Sequence, residues 1–170
     1  TASKHSANKD LKSAKHHLQN AWKQSPADSV AEKLFKVLGA LNESQAQQKH
    51  LDNWLELIPN SVAATLYQAI NYQQTKQNTK AVSAYEKVLE ALPNNVMALN
   101  NLGWIYFEIK DDRALTLLKK AVELAPESAA ELDSYGWVLA KSGQKTEGLK
   151  FLEKAHALAP DQAEIKAHLD

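Results

Sequence analysis

A chain of 170 residues with 44% apolar content is long enough for one ordinary domain or a short repeat array with a buried core. Lys plus Arg and Asp plus Glu both number 20, and Arg113 is the sole arginine, so neither net charge nor bidentate guanidinium chemistry points to a nucleic-acid partner. The lack of cysteine excludes disulfides, thiolate metal sites and cysteine nucleophiles, and no run of about 18 apolar residues offers a membrane span.

The first segment, Thr1 to Lys15, is polar and lysine-rich and does not resemble a signal peptide. It leads into Ala14, Leu18 and Ala21, whose spacing predicts a helix over 7–26 that stops at Pro26. A second stretch, 29–59, opens on Ser29 with Glu32, the spacing of a capping box. It carries Phe35, Leu38, Leu51 and Trp54, breaks at Asn42-Glu43-Ser44 and stops at Pro59. The third, 61–93, starts at Ser61, places Ala69, Tyr72, Ala81, Tyr85 and Val88, and breaks at Lys76-Gln77-Asn78-Thr79. The fourth, 95–126, starts at Asn95 and has Leu99, Leu102, Gly103, Tyr106, Ala114, Leu118 and Ala121 around a break at Lys110-Asp111-Asp112. The fifth, 128–160, opens on Ser128 with Glu131 and carries Leu132, Tyr135, Gly136, Leu139, Gly148, Leu152 and Ala155 around Ser142-Gly143-Gln144. Asp161 with Glu164 begins a further helix over 161–170.

The prolines Pro26, Pro59, Pro93, Pro126 and Pro160 are spaced 33, 34, 33 and 34 residues apart. Each ends a helix-like stretch, because proline cannot continue a helix and disfavours the α conformation in the residue before it. Every period therefore holds two helices of about 13 residues and two short turns, with no alternating β pattern. Small residues recur where the two helices of a pair cross, so that their backbones approach closely, and aromatics fill the gaps beside them. The fourth stretch is one residue short, and the loss is expected in its inner turn near Asp111. The stretch 29–59 departs most from the pattern, since Gln47 stands where Ala is expected.

These positions resemble the tetratricopeptide repeat family over about residues 8–169. The resemblance implies an all-α, right-handed solenoid of antiparallel helix pairs: about four full pairs, a lone second helix at the start and the beginning of a first helix at the end. Such an array reads as a piece of a longer one. A narrower resemblance rests on Pro93-Asn94-Asn95-Val96-Met97-Ala98-Leu99-Asn100-Asn101-Leu102-Gly103-Trp104-Ile105-Tyr106, on Leu132-Asp133-Ser134-Tyr135-Gly136-Trp137-Val138-Leu139 and on Pro160 to Leu169. These segments are similar to the C-terminal repeats of the tetratricopeptide lipoprotein family of the PEP-CTERM/exosortase system in Gram-negative bacteria. That similarity implies a periplasmic or outer-membrane-associated location and a link to exopolysaccharide-associated protein sorting. The lipid-bearing cysteine of such proteins is missing here, and a cytoplasmic location is the alternative.

No catalytic constellation is present in the sequence. The histidines His5, His16, His17, His50, His156 and His168 form no His-Glu-x-x-His pattern; adjacent His16 and His17 point about 100° apart on a helix and suit one metal poorly. They read as exposed or half-buried helix residues. Asp111 and Asp112 fit an acidic cap at a helix start, with metal binding as the alternative. Lys4, Lys9, Lys12 and Lys15 read as a solvated face, with an acidic partner surface as the alternative. No glycine-rich phosphate loop or Gly-x-Ser-x-Gly elbow occurs, and no cofactor or metal is expected.

In this architecture the first helices of successive repeats line the concave side. The inward positions at i, i+4, i+7 and i+8 are Asn100, Trp104, Phe107 and Glu108, with Asn101 beside them, then Asp133, Trp137, Ala140 and Lys141, and in the preceding repeat Leu66, Ile70, Gln73 and Gln74. Trp104 and Trp137 fall on equivalent positions one repeat apart and are expected to be neighbours. The candidate binding residues are therefore Asn100, Asn101, Trp104, Phe107, Glu108, Asp133, Trp137 and Lys141, in a groove for a peptide or helix of a protein partner. The competing reading makes both tryptophans core residues packed between repeats. The function expected is a non-catalytic protein-interaction scaffold. Its alternatives are a module that stacks on a copy of itself through open repeat ends, and a glycan-binding scaffold.

Overall fold

The computed structural model describes residues 2–169, and the side chains of residues 7–169. Expectations that rest on Thr1, Asp170 or the side chains of Lys4 and His5 lie outside the described residues. The described residues form ten helices and no strand: α1 (Ala2–Gln24), α2 (Asp28–Ala40), α3 (Ser44–Leu57), α4 (Val62–Gln74), α5 (Asn78–Ala91), α6 (Val96–Glu108), α7 (Ala114–Leu124), α8 (Ala129–Lys141), α9 (Lys145–Leu158) and α10 (Ala163–Leu169). The fold is an α-solenoid of helix pairs. The chain divides into two compact units, one up to Asn71 and one from Tyr72, with the division inside α4.

The inner turn of every pair is built alike. Asn42, Lys76, Lys110 and Gly143 all have positive φ, at 57°, 60°, 60° and 95°. The following N–H then reaches back to a carbonyl five residues earlier: Glu43 to Leu38, Gln77 to Tyr72, Asp111 to Tyr106 and Gln144 to Leu139. This is the Schellman helix stop, which favours glycine, and only the last turn has it. From the positive-φ residue to the small residue of the next helix is five positions for Gln47, Ala81 and Gly148, but four for Ala114. The missing residue of the third full pair thus lies between Lys110 and Ala114. Here α7 begins four residues after the left-handed position instead of two. Asp111 replaces the lost turn. Its carboxylate accepts from the Arg113 backbone N–H at 2.9 Å and holds the Arg113 guanidinium at 2.8 Å.

Helix starts follow the expected chemistry at two places. Ser61 Oγ accepts from Ala64 N–H at 3.0 Å, and Asn95 Oδ1 accepts from Ala98 N–H at 2.9 Å. Three expected capping boxes differ. At α2 the N-cap is Ala27, two residues ahead of Ser29, and Asp28, already helical, accepts from Trp54 Nε1 at 2.7 Å. Ser128 occupies the N-cap of α8 but makes no side-chain bond there. Asp161 stands in the turn before Gln162, and α10 starts only at Ala163.

In the N-terminal unit, Trp22, Leu34, Leu38, Leu51, Trp54 and Ala64 form one core. The histidine reading fails for His50, which is buried: its Nε2 lies 2.9 Å from the Ala31 carbonyl oxygen, with Trp22 edge-on at 5.4 Å and Trp54 alongside at 6.2 Å. Gln47 is accommodated because Gly39 faces it. A Cβ at Gly39 would sit 2.6 Å from Gln47 Nε2, and that amide instead donates to the Phe35 carbonyl at 3.0 Å.

In the C-terminal unit, the small residues bring helix backbones into contact. A Cβ at Gly148 would lie 2.5 Å from the Gly136 carbonyl oxygen and 2.7 Å from the Ala140 nitrogen. Lysines on the second helices tie each pair to the one before: Lys120 Nζ donates to the Pro93 carbonyl at 2.7 Å, and Lys154 Nζ to the Pro126 carbonyl at 2.8 Å. These bonds satisfy the carbonyls that proline leaves exposed after a helix end. Val122, Leu132, Ala155 and Ile165 close the core under α10.

Candidate functional site

The candidate residues lie on α6 and α8 of the C-terminal unit. Their opposite face supplies the core through Leu99, Leu102, Tyr106, Leu132 and Leu139, all buried. The 3.6-residue period therefore turns Asn100, Trp104 and Phe107, and one repeat later Trp137 and Lys141, away from the helix-pair interior. Trp104 and Trp137 are half-buried, Phe107 likewise, while Glu108 and Lys141 are exposed.

Each tryptophan is held by the next first helix. Trp104 Nε1 donates to Ser134 Oγ on α8 at 2.7 Å, and Phe107 meets the Trp104 ring edge-on at 6.1 Å. Trp137 is stacked by the imidazole of His168 on α10, with centroids 4.2 Å apart and planes within 21°. The Lys141 ammonium stands 4.1 Å from the Trp137 centroid, one helical turn along, which gives a cation–π contact. His168 also lies 6.5 Å from the Trp104 ring, so one imidazole touches both indoles. The two tryptophans meet through His168, half-buried within the range expected of the histidines but given no part in the face by the sequence.

Asp133 is buried and does not open onto the face. Its carboxylate accepts from His168 Nδ1 at 2.8 Å. Burial pushes the Asp133 carboxyl above its usual range, and the bond and charge of His168 pull it back in part. Asn101 is tied to the packing as well. It donates to the Tyr85 hydroxyl at 3.0 Å, and that hydroxyl donates to Gln73 at 2.8 Å. Burial drives the Tyr85 phenol up to about 12, so the hydroxyl stays a neutral donor. Asn100 is different, because its carboxamide oxygen is buried without a partner. Ser134 and His168 could have been found by carrying the repeat register to the eighth residue after each proline, where Asn101, Ser134 and His168 align.

Among the described residues no group of three or more His, Asp or Glu side chains is placed to hold a metal, and no helix is long and apolar enough to cross a membrane. The arrangement supplies a flat aromatic surface and two exposed rim charges of opposite sign, Glu108 and Lys141. That chemistry can hold a chain.

Two tetratricopeptide repeat family models match this chain, over residues 63–95 and 84–114. With the helix-pair fold, these matches support tetratricopeptide repeats in the protein. A curated relative, the uncharacterized protein ycf37 of Pyropia yezoensis, is 39% identical over 98 residues, which are 52% of this chain and 54% of that protein. The chain thus spans about half the length of the curated relative it matches. Among solved structures, the Thermobaculum terrenum O-GlcNAc transferase mutant K341M is 33% identical over 64% of this chain and 21% of its own, with a TM-score of 0.62. YrrB, described as a tetratricopeptide protein with an unusual peptide-binding site, shares the fold at a TM-score of 0.69 and 21% identity, over 89% of this chain and 79% of its own.

Proposed function

We propose that this protein is a non-catalytic scaffold that binds a peptide or helix of another protein along α6 and α8. The observation that carries the reading is the pair of half-buried tryptophans, Trp104 and Trp137, turned away from the buried side of their own helices. A large side chain on that side gains nothing from the helix-pair core, whereas aromatics at such positions give a partner much contact area at little rotamer cost. YrrB, a fold relative, is described as having a peptide-binding site.

The test is a peptide-display selection on the whole chain, followed by affinity and melting measurements on Trp104→Ala and Trp137→Ala. Loss of affinity by about tenfold or more with a modest fall in melting temperature supports a binding face. Steep loss of stability with unchanged affinity per folded molecule makes both tryptophans packing residues and ends the proposal. By resemblance of residues 93–106, 132–139 and 160–169, the proposal extends to an envelope location and a role near exopolysaccharide-linked sorting. Fractionation of a native host, with the protein recovered only in the cytoplasm, would remove that extension while leaving the binding reading intact.

A further inference from the structure

The third full pair is short at its inner turn, and the structure holds a space there. α7 has 11 residues where α5 and α9 have 14, so the first turn of a full-length second helix is absent between the end of α6 and the end of α8. At that place lies an open cavity of about 330 Å³. Its floor is apolar: Ala114 and Val138 are buried beneath it, and Phe107 and Leu115 present half-buried flanks. Lys110, Asp112 and Ser142 stand at the mouth, and all three are exposed. The volume is at the small end for ligand pockets and holds one side chain rather than a helix. Phe107 also meets the Trp104 ring edge-on at 6.1 Å, so the cavity adjoins the candidate face at its turn-side end. Most charges nearby are already committed. Asp111 takes the backbone N–H and the guanidinium of Arg113, and that guanidinium lies 4.1 Å from the Tyr106 ring centroid. Lys141 stands over Trp137. Lys110 and Asp112, by contrast, make no ion pair or side-chain hydrogen bond among the described residues, nor with each other. One unpaired cation and one unpaired anion thus flank an apolar floor.

We infer that this cavity anchors one apolar side chain of the partner peptide, of leucine size, whose neighbours in the peptide are one acidic and one basic residue. The apolar group covers the flanks of Phe107 and Leu115, the acid meets Lys110 and the base meets Asp112. Removing the aliphatic group from water supplies most of the affinity. The pairs at the mouth are exposed and screened, so they orient the peptide more than they tighten it. A peptide with a single charge is repelled at one side of the mouth as it is attracted at the other, which leaves the doubly flanked one preferred. The inference rests on the binding reading above and names the anchor that the partner carries.

The probes are four N-acetylated tripeptide amides, Glu-Leu-Lys, Lys-Leu-Glu, Gln-Leu-Gln and Glu-Ser-Lys, titrated at pH 7.5 into the whole chain. Binding is followed by the methyl resonances of Leu115 and Val138. The better of the two charged leucine peptides is expected to shift both residues saturably. The glutamine-flanked peptide is expected to bind several-fold more weakly, and the serine-centred one about tenfold or more. Lys110→Asn, which keeps a residue tolerant of the left-handed turn, and Asp112→Asn are each expected to weaken the charged leucine peptide by about threefold and to leave the glutamine-flanked one unchanged. Insertion of one alanine between Asp112 and Arg113 is expected to restore the length of the turn, fill the cavity and abolish the shifts. If the insertion disturbs folding, the two mouth variants and the serine-centred peptide still decide. Equal binding of the serine-centred and leucine-centred peptides overturns the inference, as does unchanged binding in both mouth variants or the absence of any methyl shift. In each of these cases the binding reading is judged separately, by Trp104→Ala and Trp137→Ala, since neither tryptophan lines the cavity.

Discussion

Lys76 and Lys110 pay the left-handed conformation that Gly143 adopts freely, since an L-residue there brings its Cβ against the following carbonyl. Lys110→Gly is therefore expected to raise the urea midpoint by about 0.5–1 kcal/mol of stability with the slope unchanged, and Gly143→Ala to lower it by a similar amount. No change in Lys110→Gly would mean that the lysine gains elsewhere what it loses in the turn. Next to it, Asp111 works through charge: hydrogen bonds from the Arg113 guanidinium and backbone hold its carboxyl down at about 2. A depressed folded pKa contributes stability above the unfolded carboxylate value and loses it as pH falls through the folded one. Asp111→Asn is thus expected to melt below the parent at pH 7 and to converge with it near pH 2. The reason was half visible in the sequence. Asp111 was legible as an acid at a helix start, but its partner was not, because Arg113 lies on the same turn and no periodicity marks it.

At the scale of the element, the helix crossing of α8 and α9 shows what pattern alone conveys and what it omits. Proline period, breaks and small residues located both helices. Gly148 falls at the crossing position that Ala81 and Ala114 hold in the two preceding pairs. A pattern reading would count the return to alanine as harmless, yet its Cβ would strike the Gly136 carbonyl and the Ala140 nitrogen, backbone atoms that cannot step aside. Gly148→Ala is expected to cost about 1–3 kcal/mol by overpacking, against the usual gain from alanine in a helix. Gly103→Ala, whose Cβ would meet the Leu118 side chain at 2.7 Å, is expected to cost less because a side chain can yield. Equal costs in denaturant titration would refute the distinction. His50 makes the complementary point in α3. Its burial could not be read from one lone histidine, since it depends on Trp22 arriving from α1 and the Ala31 carbonyl from α2, with Trp54 one turn along its own helix. Burial lowers its pKa, opposed only by the Ala31 carbonyl. The folded state then binds fewer protons than the unfolded one, so stability is complete above the ordinary imidazole value of 6.5 and falls as pH drops below it. His50→Gln is expected to flatten that acid limb as read by tryptophan fluorescence.

Across the whole molecule, the sequence conveyed the period because each repeat must end its helices and pack its crossing within one stretch of chain. The candidate face was conveyed less well, because its contacts run between repeats. Trp104 needs Ser134 and Trp137 needs His168, each about 30 residues away, so an alternation within one helix carries no trace of them. The same dependence on neighbours governs how the C-terminal unit opens. In stacked repeats stability is close to a sum of each element's own and that of its contacts with the next, so protection should fall toward an element with few anchors. α10 is seven residues long, short of what holds a helix alone in water, and its anchors are Ile165 in the core and His168 on Trp137. Native-state hydrogen exchange should therefore show the strongest protection at Leu102 to Tyr106 and Leu118 to Val122, and distinctly weaker protection in α10. Ile165→Ala should remove about 2–5 kcal/mol from the opening of α10, enough to leave it unprotected, while amides in α6 and α7 exchange as before. If that substitution lowered protection equally in α6, the stack would be one cooperative block, and a ligand on Trp104 would stabilise α10 as firmly as its own helix. If protection is lost in α10 alone, a ligand at Trp104 can reach α10 through the His168 ring beside both indoles and through Ser134 and Asp133 of α8.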